Sequence, residues 1–402
     1  MYIRREIEAT IDAMLTQGKV VLVTGARQVG KTTVLKEHLG DTFSYVSMEN
    51  PRDYLLAKQD AVLFFDSHDL PLIIDEVQRV PELFSPVKWI VDQSDQRGRI
   101  VLTGSQTYHL MKGVSESLAG RIRILEMPSL SLREFIGAAD NPHSYVPAQI
   151  AKPKRVEDLD IWSIIHRGSM PELLDNSVDW DSFYSDYVSA YLELDVRDLI
   201  NVQDETKFYS FMVACAARSG QLFNATDIGN AIDVDHKTVK AWLSVLQASN
   251  IVRVIQPFWS NVDKRLTKTP KIFFMDTGLV CHLTRWTTPD QLRNGAVAGH
   301  VFETFVVSEV LKSYMNAGAN LRDVWFYRDA KKREIDLVIQ EGHVLHPVEV
   351  KTAATVGGDA VKNFSCLEGL SDYEVGFGHV VCQTDEPYFV TRDVQAVPVW
   401  EI

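Results

Sequence analysis

Cysteine is scarce in this chain: Cys215, Cys281, Cys366 and Cys382 are the only four in 402 residues, far apart and without a CxxC pair. That spacing argues against a disulfide framework or a cysteine-based zinc site, and reduced, buried thiols in a cytoplasmic protein are the expectation. Long apolar runs are missing too. No stretch approaches the ~18 residues a membrane span needs, so no membrane role is expected. The opening MYIRREIEATIDAML spaces its charges on a helical pattern and holds no apolar segment before a small-residue cleavage site. No secretory signal is expected there. Positive charge is in deficit, with 41 Lys and Arg against 54 Asp and Glu and a net charge of −13. Such a surface does not coat nucleic acid as a whole, although screening over ~8 Å leaves room for a local basic face.

What remains is ordinary globular composition, 46% hydrophobic and 24% charged, in a length that suits two to four domains. The clearest signal lies near the start. Lys19 to Thr24 is an apolar run that suits a buried parallel strand. It leads directly into Gly25, Ala26, Arg27, Gln28, Val29, Gly30, Lys31 and Thr32, and a helical stretch then runs from Thr33 to His38. This is G-x-x-x-x-G-K-[ST] in a strand-loop-helix setting. The two glycines let successive N–H groups turn inward around a phosphate, and the helix start adds its positive dipole end. Lys31 is the candidate for the β- and γ-phosphates, and Thr32 for a magnesium ligand.

A second apolar run, Leu70 to Ile74, ends in Asp75 and Glu76. Asp75 suits the magnesium shell, and Glu76 suits a general base on the attacking water. A third run, Arg99 to Thr103, leads into Gly104, Ser105 and Gln106. Ser105 or Gln106 is the candidate sensor of the γ-phosphate, in a sheet that inserts a strand between the other two. Arg121, ahead of the strand Ile122–Glu126, is either an arginine finger for a neighbouring subunit or one half of a salt bridge.

These segments resemble the bacterial and archaeal AAA-type ATPases that carry a C-terminal domain of unknown function with a nuclease-like fold. The resemblance rests on GARQVGKTT at 25–33, LIIDEVQRVPELF at 72–84, VLTGSQ at 101–106 and LAGRIRILEMPSLSLREF at 118–135. It extends through RGSMPELL at 167–174, YLELDVRDL at 191–199, KTPKIFFMDTGL at 268–279 and the stretch from Phe302 to Lys351. It implies an α/β multidomain chain: a P-loop parallel-sheet ATPase core over 1–135, a linker and helical lid-like segment over 136–205, a winged helix over 206–275 and a PD-(D/E)xK-like α/β domain over 276–402.

Residues 136–160 mix Pro, Ala, Asn, Lys and Asp without periodicity and read as a loop. The stripe Phe183, Tyr184, Tyr187 and Tyr191 reads as core. Arg167 and Arg197 are candidate nucleotide or intersubunit contacts, with structural pairing as the other reading. From Lys207 to Pro257 three short helices precede a hairpin, and His236, Lys237 and Lys240 fall at the start of the third. Arg253, Lys264, Arg265, Lys268 and Lys271 add a basic cluster in and after the hairpin, a candidate phosphate-binding face for DNA. A purely protein-contacting winged helix is the alternative.

In the C-terminal third, Glu303 on a helix, Asp336 on one strand, and Glu349 with Lys351 on another follow the acid order of PD-(D/E)xK nucleases. Side chains alternate along a strand, so Glu349 and Lys351 share a face. Glu303, Asp336 and Glu349 are candidate ligands of a second magnesium or manganese ion, with Lys351 acting on water. Ile335 stands where the namesake motif has proline. An active nuclease and a silent scaffold both fit. Two functions stand: an ATP-driven machine acting on DNA, self-assembled or with a protein partner, or a regulatory nucleotide switch whose C-terminal domains are interaction modules.

Overall fold

A computed structural model describes residues 2–104, 118–139, 141–152, 156, 158–196, 205–259 and 269–402. The apolar runs of the N-terminal third become one parallel sheet: β1 (Val20–Thr24), β2 (Ser44–Ser47), β3 (Leu72–Asp75), β4 (Ile100–Gly104) and β5 (Ile122–Glu126). Their order is β2-β3-β4-β1-β5. β4 is inserted between β1 and β3 and runs parallel to both. Val21, Val23, Ile73 and Val101 face one core, whereas Val20, Leu22, Ile74 and Leu102 face another. Burial on both faces explains why β1, β3 and β4 read as continuous apolar runs.

The helical segment contains Ile161–Arg167 and Trp180–Tyr191, and the aromatic stripe of the latter is buried. Helices Glu205–Ala216, Ala225–Ile232 and His236–Ala248 follow, with a small antiparallel sheet made of β6 (Gln221–Leu222), β7 (Val252–Ile255) and β8 (Lys271–Phe274) in the order β6-β8-β7. Asp235 caps the third helix by accepting from the Lys237 and Thr238 amides.

The C-terminal region forms a separate mixed sheet. Its strands are β9 (Val324–Arg328), β10 (Glu334–Glu341), β11 (Val344–Val350), β12 (Glu374–Val375), β13 (Gly378–Cys382), β14 (Tyr388–Thr391) and β15 (Val394–Pro398). The order is β14-β15-β13-β11-β10-β9, with β12 alongside β11. All four cysteines are buried and unpaired. Among the described residues no helix is long and apolar enough to cross a membrane.

These regions share one core, which runs from Ile7 and Val21 through Phe183, Phe208 and Val239 to Phe302, Val348 and Ile402. The helix Ala298–Asn316 ties them together. At its C-terminal end the Thr10 hydroxyl donates to the Asn316 carbonyl at 2.6 Å, and Lys312 Nζ donates to the Leu130 carbonyl at 2.8 Å. Residues 141–152, expected as a loop, are indeed irregular but lie bound along the C-terminal region. The Tyr145 amide donates to Ser313 Oγ at 3.0 Å, and the Ile150 amide donates to Gln395 Oε1 at 2.8 Å.

Two stretches that carried the resemblance without evident chemistry meet at Asp276. Its carboxylate accepts from the Ser169 amide (2.7 Å) and hydroxyl (2.8 Å), the Tyr184 hydroxyl (2.6 Å) and the Leu279 amide (2.7 Å). Gly278 is required there, because a Cβ would fall 2.3 Å from the Tyr184 hydroxyl oxygen.

Candidate active site

The loop between β1 and the helix Lys31–Leu39 bends through three positive-φ residues, Gly25 (149°), Gln28 (61°) and Gly30 (94°). Such conformations turn amides inward as an anion-binding concavity. Gly25 is fixed by space as well, since a Cβ would lie 2.3 Å from the Met127 carbonyl oxygen. Ala26 and Val29 are buried beneath the loop. Arg5, which the sequence reading passed over, pins the loop from behind: Nη1 donates to the Val29 carbonyl and Nη2 to the Pro128 carbonyl, both at 2.9 Å.

Lys31 Nζ donates to the carbonyls of Gly25 (3.0 Å) and Ala26 (2.7 Å). On the other side of the loop the Thr32 hydroxyl lies 3.1 Å from each carboxylate oxygen of Asp75. Tyr45 donates to Asp75 at 2.7 Å, and Thr103 at the end of β4 also donates to it. Neither partner was singled out from the sequence; each is a polar residue near the end of a strand, which is a weak signal. Burial and the Asp75 carboxylate push the Tyr45 phenol well up, so it stays a donor. Glu76 follows β3 in a left-handed conformation, φ 54°, and its carboxylate accepts from Gln78. Burial raises the Glu76 pKa, with Lys31 and Gln78 opposing.

Lys31, Thr32 and Glu76 line a cleft of about 460 Å³, together with Arg27, Gln28, Gly30 and Thr33. Its opposite wall is Pro171, Glu172, Tyr187 and Ala190 from the helical segment. That volume falls within the roughly 300–1,000 Å³ typical of small-molecule sites. Ser105, Gln106 and Arg197 lie outside the described residues. Arg121 is paired within the chain: Nε and Nη2 donate to the two Asp92 oxygens at 2.6 and 2.9 Å. Arg167 binds the carbonyls of Leu173, Asp175 and Val178 and so shapes the turn under the cleft wall.

Residues 17–136 match a family model described as an AAA domain. The chain carries an AAA domain over that segment. Beyond it, residues 158–290 and 298–402 match two families described as domains of unknown function, DUF8612 and DUF4143. The uncharacterized protein Rv2008c of Mycobacterium tuberculosis is 28% identical over 405 residues, covering 99% of this chain and 84% of that protein. MJ1544 of Methanocaldococcus jannaschii, also uncharacterized, is 24% identical over 204 residues, covering 48% of this chain and 45% of its own. Among solved structures, the Walker-type ATPase PABY2304 of Pyrococcus abyssi is similar with a TM-score of 0.39 and 16% identity, over 70% of this chain and 96% of that one. The RuvB Holliday junction branch migration motor of Thermotoga maritima gives a TM-score of 0.29 at 16% identity, over 61% of this chain and 88% of that one.

The second set of expected residues also converges, but differently from expectation. Lys351 donates to Glu349 Oε1 at 2.6 Å, as their shared face requires, and the Val350 amide donates to Asp336 Oδ2 at 2.9 Å. Glu349 Oε2 is buried without a hydrogen-bond partner. Burial, with Glu303 and Glu349 nearby, raises the Asp336 pKa well above the usual carboxylate range. Glu303 is held by Lys271, whose Nζ lies 2.8 Å from Glu303 Oε1 and 2.6 Å from Glu334 Oε1. Among the described residues no group of three or more His, Cys, Asp or Glu side chains is arranged to hold a metal ion. Glu303, Asp336 and Glu349 therefore do not fit a divalent ion as they stand, because an ammonium is already inserted beside Glu303.

Two of the five basic residues expected in and after the hairpin are corrected in the same way. Lys271 is 2% exposed, and Arg253 is engaged by Glu126 and by Asn250. Neither presents a free charge to phosphate. Lys264, Arg265 and Lys268 lie outside the described residues. His236, Lys237 and Lys240 are exposed, as expected.

Proposed function

We propose that this chain binds ATP with magnesium in the cleft between the loop 25–32 and the helical segment, and hydrolyses it. The observation that carries the reading is the Thr32 hydroxyl poised against Asp75 at 3.1 Å, beside a loop of positive-φ residues. Hard oxygen donors of this kind suit magnesium. Thr32 and Asp75 would hold the ion, which when bound neutralises charge on the β- and γ-phosphate oxygens. Lys31 and the amides of residues 25–33 bind the triphosphate. Beside them a recess of about 100 Å³, lined by Tyr2, Ile3, Val34, Leu130, Pro171 and Leu174 together with Arg5, Gly30 and Thr33, offers a mainly apolar seat for the purine. Glu76 takes the proton of a water that attacks the γ-phosphorus, the bond from that phosphorus to the bridging oxygen breaks, and ADP leaves with its electrons. A carboxylate whose pKa is raised by burial is the better base for that step. Lys31→Ala is the test: loss of fluorescent-ATP binding and of phosphate release is expected, and unchanged turnover rejects the site.

Action on DNA is a second reading, supported by exposed His236, Lys237 and Lys240 at the start of an Asp235-capped helix, in a three-helix unit followed by a hairpin resembling a winged helix. A titration with duplex DNA across salt decides it. Phosphate contacts give a steep negative slope of log affinity on log salt. A flat or absent response leaves the regulatory nucleotide switch. The C-terminal set, with Lys271 between its acids, is assigned no cleavage step.

A further inference from the structure

We infer that Lys271 is the resident cation of the C-terminal acid cluster, taking the place of a divalent metal, so that such an ion binds there only when the lysine is displaced. Lys271 comes from β8, outside the 298–402 region that contributes the acids. Its ammonium bridges Glu303 and Glu334 at 2.8 and 2.6 Å, and the residue is almost wholly buried. A lysine is not buried in this manner without counter-charge, because desolvating an unpaired ammonium is prohibitive. Burial works against its charge, but Glu303, Asp336 and Glu334 outweigh that and raise its pKa.

The backbone holds the lysine in place. β8 is the central strand of its sheet, with Lys271 opposite Leu222 of β6 and Ile255 of β7. The ammonium is thus delivered by a strand anchored on both sides. With it the cluster holds four carboxylates (Glu303, Glu334, Asp336 and Glu349) and two further cations (Lys351, and Arg328, which pairs with Glu334). Glu349 Oε2, more than nine-tenths buried and without a hydrogen-bond partner, is a lone-pair site still open to a cation. The cluster therefore keeps the chemistry of a metal site while an internal charge occupies it.

Manganese binding to the nucleotide-free full chain, followed by electron paramagnetic resonance, tests this. Wild type is expected to titrate like Asp336→Asn, with no site that depends on that acid. Lys271→Met should gain a site at least about tenfold tighter. Lys271→Met/Asp336→Asn should lose it, which assigns the site to this cluster and not to Thr32 and Asp75. A wild-type site already lost in Asp336→Asn overturns the inference, as does a Lys271→Met titration indistinguishable from wild type. If Lys271→Met does not fold, Glu334→Gln releases the ammonium from one of its two carboxylates. Tighter manganese binding by a smaller factor is expected there, and an unchanged titration overturns the inference.

Discussion

The Thr32 hydroxyl lies 3.1 Å from both carboxylate oxygens of Asp75, joining the first turn of the helix after the glycine loop to the end of β3. With Glu76 next in sequence, the proposed ligand and the proposed base sit side by side, and their variants separate the two roles. Asp75→Asn is expected to remove the dependence of ATP binding on magnesium, measured by fluorescent-ATP titration with and without chelator. Glu76→Gln should keep binding while its turnover falls about 10²–10⁴-fold. A Glu76→Gln protein at full speed assigns the base elsewhere.

Arg121 has two competing roles that one comparison separates. If it serves only as the partner of Asp92, Arg121→Ala and Asp92→Asn should have the same small effect on ATPase rate. If it completes a neighbour's site, Arg121→Ala should lose turnover while Asp92→Asn keeps it, and mixing Arg121→Ala with Glu76→Gln subunits should restore activity. Specific activity as a function of protein concentration is the accompanying measurement.

Asp276 is the hub between the helical segment and β8. Asp276→Ala would leave the Ser169 and Leu279 amides and the Tyr184 hydroxyl without their acceptor in a buried place. A loss of at least about 3 kcal/mol in urea unfolding is expected, since each orphaned group costs about 1–3 kcal/mol. A near-neutral result would mean that the pocket relaxes or admits water.

His379 supplies a pH signature. Its Nε2–H donates to the Ala148 carbonyl at 2.9 Å, so the neutral ring accepts from the Tyr145 hydroxyl at Nδ1, 2.7 Å away. Burial lowers its pKa from 6.5 to about 4. Above pH 6.5 neither the folded nor the unfolded state binds the proton. Below it the unfolded chain gains a proton that the folded one refuses, so stability falls as pH drops toward 4. Between pH 7.5 and 5 this one group removes about 2 kcal/mol. Urea unfolding of wild type and His379→Gln at pH 7.5 and 5 should show the difference shrinking in the variant.

The glycine-loop cleft was legible because its signals are local. A glycine loop declares its own backbone, and β3 and β4 ended in polar residues where apolar runs stopped. Glu349 and Lys351 were legible through the two-residue period of a strand. Lys271 was misread because sequence reports charge and not burial: beside Lys264, Arg265 and Lys268 it looked like part of a basic surface, yet the neighbours that bury it lie 32 and 63 positions away, at Glu303 and Glu334. Tyr145 was hidden for the same reason, because nothing in an irregular polar stretch announces a hydrogen bond to His379 on a strand more than two hundred residues later. Arg5 and Glu6 passed as ordinary helix charges although both are buried.

The helix Ala298–Asn316 holds Glu303 near one end and, about 20 Å along its axis, Asn316 at the other. Asn316 donates to Glu6, and the adjacent Arg5 grips the Val29 carbonyl in the glycine loop. One continuous helix thus joins the two acid-and-base constellations of the chain: its Glu303 end meets Lys271, and its Asn316 end meets Glu6, next to the arginine that holds the glycine loop.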